Sequence, residues 1–123
     1  MGYAEVLVHG FSRKVVTNVI QQILPEELYK KITNGETISV IDVREDDEVA
    51  QGMIPRAKHI PLGELENRLN ELDKETEHIM VCRSGARSTK ACQIMLTKGF
   101  KVKNMVGGMI SWEAKYGKSM VVD

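Results

Sequence analysis

Cys82 stands at the end of an apolar run and is followed at once by Arg83, Ser84, Gly85, Arg87 and Ser88, in the stretch IMVCRSGARS (79–88). A chain that leaves a buried strand and enters a helix within about five residues turns its backbone amides inward, and the helix N-terminus adds a partial positive charge. Such a concavity holds an anion. Gly85 supplies the free backbone angles of a tight turn, Arg83 and Arg87 bring full charges to the rim, and Ser84 and Ser88 offer hydroxyl donors. All of these favour a thiolate over a thiol, so the pattern predicts a depressed pKa at Cys82 and a nucleophilic sulfur. A lone cysteine at a strand end is ordinarily a small buried hydrophobe. A packing role alone, however, has no use for two arginines and a glycine within the next five residues.

Other residues are weighed against plainer roles. Asp42 and Arg44 end an apolar run, IDVRE (41–45); they either pair locally at the sheet edge or, through Asp42, anchor an arginine of the loop as supporting residues. Cys92 lies ten positions after Cys82 in a helical pattern with Ala91, Met95 and Leu96, which places it about two turns away and facing the core. His9, His59 and His78 are scattered and have no metal-ligand spacing; no metal is expected. The acidic REDDE (44–48) reads as a solvated turn opening a short helix, and Gly107–Gly108 as a tight strand-to-helix turn. Trp112 and most methionines read as core. No nucleotide-binding glycine pattern occurs.

The elements that must position these residues alternate. VVTNVI (15–20) is predicted as a strand after an irregular opening. Pro25 starts a helix in which Leu28 and Ile32 share a face, stopped by Gly35. TISVIDV (37–43) and HIMVC (78–82) are near-continuous apolar runs, the mark of strands covered on both faces. AKHI (57–60) is a short strand, and LGELENRLNEL, with Leu62, Leu65, Leu69 and Leu72, an amphipathic helix. ARSTKACQIMLTKG forms a helix closed by Gly99, KVKNMV (101–106) the last strand and GGMISWEAKYG the last helix. Alternation of this kind predicts an α/β fold: about five strands in a mostly parallel sheet with helices on both faces. Ligands bind beyond the carboxyl ends of such strands, where Cys82 would sit.

With 123 residues, the chain is most simply one domain able to bury a core without staples. Seventeen basic residues balance seventeen acidic ones, so no global field draws it to nucleic acid or an anionic membrane. Two cysteines are too few for a disulfide framework, and a free thiol implies a reducing, cytoplasmic setting. The N-terminal stretch has no apolar run of the length a signal peptide or membrane span requires.

CRSGARS resembles the active-site loop of single-domain rhodaneses, the thiosulfate:cyanide sulfurtransferase family. Three further stretches agree in order: IDVRE (41–45) resembles the family's Asp-x-Arg signature, GMIPRAKHIPLGEL (52–65) its Gly-His-Ile-Pro-Gly-Ala region, and GFKVKNMVGGMISWEA (99–114) its closing Gly-Gly-Trp segment. Met53 stands where the family usually has His, and Arg56 where it often has Gly. The resemblance covers about residues 15–115 and implies a rhodanese-like domain over 15–123, with 1–14 an N-terminal extension of uncertain structure. It implies that Cys82 takes the outer sulfur of a donor such as thiosulfate, or of a persulfide, and becomes a persulfide. The amides of Arg83, Ser84, Gly85, Ala86, Arg87 and Ser88 would cradle it, and Arg83 and Arg87 would meet the anionic donor. Cyanide, a thiol or a sulfur-accepting protein would then remove the sulfur in a double-displacement scheme needing no cofactor. Two arginines suit dianionic thiosulfate better than mercaptopyruvate.

Two rival readings start from the same loop. A cysteine phosphatase of related fold places five residues between Cys and Arg; here four separate Cys82 from Arg87, and Ser88 stands where that arginine belongs. The smaller pocket suits sulfur better than a phosphoryl group. A catalytically idle binding module would typically lack the cysteine, which this chain keeps.

Overall fold

The computed structural model describes residues 19–118 in full, and the backbone of residues 4–8 and 11–15. Those two N-terminal segments are strands β1 (Ala4–Val8) and β2 (Phe11–Val15), paired antiparallel with Ala4 opposite Val15. The irregular opening expected from the sequence therefore contains a regular two-stranded ribbon.

The remaining strands form one five-stranded sheet. They are β3 (Gln21–Ile23), β4 (Ser39–Asp42), β5 (Lys58–His59), β6 (Glu77–Val81) and β7 (Lys101–Met105), in the order β3-β7-β6-β4-β5, every neighbouring pair parallel. The expected strand over 15–20 is displaced. Residues 16–18 lie outside the described residues, Val19 and Ile20 precede the strand, and pairing begins at Gln21, whose register partner is Lys103. Tertiary burial overrides β-branched propensity here: the register brings Ile23 into the core, while Val19 is left exposed.

Helix α1 (Pro25–Thr33) starts at its proline, and the Glu27 side chain accepts a hydrogen bond from the Leu24 amide at 2.9 Å. Leu28 and Ile32 point to one face, as their spacing requires. A single turn, α2 (Asp46–Val49), follows β4; α3 (Ala86–Thr97) follows β6; and α4 (Gly108–Tyr116) follows β7. The leucine-spaced run at 62–72 is not one α-helix but two 3-10 segments, Leu62–Glu64 and Glu66–Glu71. Gly63, Asn67 and Asn70 are weak helix formers, and the longer rise of a 3-10 turn stretches the segment along the sheet. All four leucines still reach the core.

Alternation along the central strands divides that core into two layers. Ile41, Met80 and Val102 face α3 and the leucine run, whereas Val40, Ile79, Val81 and Met105 face α1 and α4, where Trp112 is fully buried beside Tyr29. This is why the strands read as continuous apolar runs. Both layers end at the carboxyl edge of the sheet, and Cys82 is the first residue past β6.

Candidate active site

Cys82 is 1% exposed and its loop folds back over it. Gly85 takes a left-handed conformation (φ 110°), open to glycine at little cost, and this turn aims its amide at the sulfur, 3.0 Å from Cys82 Sγ. The Ser88 hydroxyl lies 3.3 Å from the sulfur on the other side. Burial pushes the Cys82 thiol up, but the Ser88 hydroxyl and the amides of Ser88, Gly85 and Ser84 outweigh it and hold the pKa below the ordinary cysteine value.

The loop is clamped from behind by α4. The Met109 amide donates to the Cys82 carbonyl at 2.8 Å, and the Ile110 amide to the Arg83 carbonyl at 3.0 Å. That seat requires the glycine at 108: a Cβ there would stand 2.5 Å from the Arg83 carbonyl group. The Gly107–Gly108 turn is therefore a backbone contact made to the cysteine loop.

The two loop arginines differ. Arg87 forks onto Glu48 of α2, with Nη1 and Nη2 donating to the two carboxylate oxygens at 2.6 and 2.7 Å. The hydrogen bond to Arg87 depresses the Glu48 carboxyl to about 2, so the pair is fully ionised at neutral pH. Arg83 is exposed and, among the described residues, enters no ion pair. Glu48 is the residue that sequence reasoning passed over, as part of a solvated acidic turn. Asp42 meets Arg44 instead of a loop arginine: the Arg44 guanidinium donates to both its oxygens, at 2.8 to 3.1 Å, and to the Gly52 carbonyl at 2.7 Å. This buried pair ties the end of β4 to the segment after α2 and so holds Glu48 in place. His59 donates to the Arg44 carbonyl at 2.7 Å, and His78 bridges Ser39 and the Asp73 carbonyl.

Cys92, on α3, is fully buried in the same layer; burial pushes its thiol up to about 12, with the charge of Cys82 adding to it. Both cysteines are free thiols. Among the described residues no three His, Cys, Asp or Glu side chains group as metal ligands, and no helix is long and apolar enough to cross a membrane.

A sulfur set in inward-turned amides beyond a parallel strand lies within the stretch, residues 24–115, that matches the rhodanese-like domain profile. The chain belongs to the rhodanese-like domain family. It is 45% identical over 96 residues to the Bacillus subtilis protein named "Putative sulfurtransferase YtwF", covering 78% of this chain and 93% of that one. It is 42% identical over 97 residues to "Putative sulfur carrier protein YrkF" of the same organism, across 78% of this chain and 52% of that protein. A rhodanese-like domain protein from Staphylococcus aureus superimposes with a TM-score of 0.73 at 34% identity, covering 76% of this chain and 91% of that one. The rhodanese assignment drawn from CRSGARS and its companion motifs agrees with all three. Family and relatives together support sulfur transfer as the general activity.

Proposed function

We propose that the protein moves a sulfane sulfur from thiosulfate, or from a persulfide donor, to a thiophilic acceptor through a persulfide on Cys82. The observation that carries this reading is the convergence of the Gly85 amide and the Ser88 hydroxyl on one buried sulfur. In the first half-reaction the Cys82 thiolate attacks the outer sulfur of thiosulfate; the S–S bond of the donor breaks, its electron pair leaves with sulfite, and Cys82 carries a persulfide anion. In the second, cyanide or a thiolate attacks the terminal sulfur and the Cys82 thiolate is regenerated. The amides that favour the thiolate also favour the persulfide anion, because both are anions on the same axis.

Arg83 is the residue positioned to meet an incoming anion. Arg87 acts differently from the expectation of two open arginines: its charge is matched by Glu48, so it shapes the loop more than it draws the donor. A dianion is therefore held by Arg83 and the loop amides. Cys82 is the proposed nucleophile, the loop from Arg83 to Ser88 the proposed sulfur and donor cradle, and Asp42 and Arg44 a support acting through the segment that carries Glu48. A sulfur-accepting protein is a further proposed partner, consistent with the relative named as a sulfur carrier. A reducing, cytoplasmic setting, where Cys82 stays free, suits the scheme.

The deciding experiment is the intact mass of reduced protein before and after thiosulfate. Gain of one sulfur atom, lost again on adding cyanide and absent from Cys82→Ser, is expected. A folded protein with a free thiol that gains nothing from thiosulfate or from a low-molecular-weight persulfide would refute the proposal.

A further inference from the structure

One row of side chains across the sheet contains polar groups the reaction scheme leaves unused. On the face covered by α3, Ile41, Met80, Asn104 and Gln22 stand side by side in register on β4, β6, β7 and β3. Ile41 and Met80 belong to the apolar layer, but Asn104 is an amide only 4% exposed. Burying an amide costs a few kcal/mol unless every polar atom finds a partner. Asn104 finds two. Its Nδ2 donates to Gln22 Oε1 at 3.1 Å, and its Oδ1 accepts the Ser88 hydroxyl, whose oxygen lies 3.3 Å from Cys82 Sγ. Four side chains thus join the edge strand to the sulfur.

Ser88 has one hydroxyl proton and three acceptors in reach: Asn104 Oδ1, the Gly85 carbonyl at 3.2 Å, and the Cys82 sulfur. While Cys82 is a thiol, Asn104 claims the proton, and the thiol completes the chain by donating its own hydrogen to Ser88 Oγ. A thiolate has no hydrogen to give and needs the hydroxyl. The chain can reverse. If the Asn104 amide turns over, Nδ2 donates to Ser88 Oγ and frees the hydroxyl for the sulfur; Gln22 turns with it and donates Nε2 to Asn104 Oδ1. Gln22 is exposed on an edge strand, and the turn gives up only a long 3.4 Å contact from its Nε2 to the Ile20 carbonyl. The proton lost from the thiol goes to solvent; the amides only change direction.

We propose that Asn104, backed by Gln22, is a positioning residue whose amide orientation decides whether Ser88 donates its hydroxyl to the Cys82 sulfur. The inference rests on reading Cys82 as the nucleophile and goes beyond it by assigning its control to the two strands beside β6. The charged and titratable groups around the sulfur are Arg83 in the loop, Arg87 and Cys92 on α3, and Glu48 of α2 behind Arg87; none is altered by changing Gln22.

The test is the pH profile of Cys82 alkylation by iodoacetamide, located by peptide mass, in Gln22→Glu, Gln22→Met and Gln21→Glu. A glutamate at 22 offers only acceptor oxygens, so it holds Asn104 Nδ2 towards β3 and keeps Asn104 Oδ1 on Ser88. The alkylation midpoint should rise, and the rate at neutral pH fall about threefold to tenfold, since one pKa unit is tenfold in thiolate. Gln21→Glu places the same charge on the adjacent residue, facing away, and should shift the midpoint less. Gln22→Met lets Asn104 turn freely, so its midpoint should lie at or below that of the unaltered protein. Equal shifts in the two glutamate variants, no shift in Gln22→Glu, or a raised midpoint in Gln22→Met would overturn the proposal. Sulfur uptake from thiosulfate is read on the same samples. The expected shifts without uptake keep the relay and discard the sulfur-transfer reading, whereas normal uptake with unshifted midpoints discards the relay alone.

Discussion

Cys82 and Cys92 are buried to the same degree, in the same layer of the core, and their thiols are driven in opposite directions. Cys92 sits on the inner face of α3, where the helical amides are spent on the helix's own carbonyls, so burial acts on it unopposed. Cys82 sits one residue past a strand, where the turn at Gly85 leaves amides unspent and points them at the sulfur. Burial alone makes a cysteine inert. Burial with aligned donors makes it an anion site, because the same low dielectric that penalises a bare charge strengthens each hydrogen bond to it.

The largest effect that would break this comparison is exchange of the proposed nucleophile. Cys82→Ser should abolish sulfur uptake, whereas Cys92→Ala should retain it; uptake lost equally from both, with folding intact by circular dichroism, would mean that the two thiols act together. Next comes Ser88→Ala, which removes the hydroxyl but leaves the Ser88 amide in place. The Cys82 pKa should rise, and alkylation at neutral pH should slow about tenfold per unit of rise, while the slow alkylation of Cys92 stays as it was.

The buried thiol makes its own pH prediction. Because the folded-state pKa of Cys92 is raised from 9.0 to about 12, its protonated form contributes stability that is fully present below about pH 9 and lost as pH climbs towards 12. The loss amounts to up to about 4 kcal/mol across that window. Denaturant midpoints at pH 8 and pH 11 should therefore converge in Cys92→Ala relative to the unaltered protein. A smaller effect is expected from Glu48→Gln, which frees the Arg87 guanidinium beside the Cys82 loop. The KM for thiosulfate should fall a few-fold, with a stability cost of about 1 kcal/mol or less for a partly exposed ion pair; an unchanged KM would show that Arg87 has no part in donor binding.

The smallest change leaves both sulfurs alone. Arg56 holds φ at 67°, the left-handed region that costs a side-chain-bearing residue about 1–2 kcal/mol. Glycine would relieve that cost but lose more entropy on folding. Arg56→Gly should thus raise the denaturant midpoint by the equivalent of about 0.5–1 kcal/mol and leave alkylation of both cysteines unchanged.

The parts of this site that were legible are those built within a few residues of the sulfur. Strand, tight turn and helix follow one another from Glu77 to Thr97, and the inward-turned amides beside Cys82 follow from that order. The Leu62–Leu72 run shows the limit even for local patterns: leucine spacing told which side chains reach the core, but 3-10 and α turns both satisfy it. The edge strand was misplaced for a related reason, since Val15 to Ile20 have the β propensity and Gln21 to Ile23 have the register.

What the sequence alone determined was the parallel α/β order, the place of Cys82 at a strand end and the amide-lined turn after it, because backbone geometry and burial periodicity act over short stretches of chain. Only the tertiary structure decided which partners the loop's side chains take. Glu48 reaches Arg87 across 39 positions and Gln22 reaches Asn104 across 82. Asp42 was free to choose a loop arginine and instead closed on Arg44. A carboxylate or an amide carries no mark of its partner in its own surroundings; the pairing is set by which strand ends and helix starts the sheet brings to one edge.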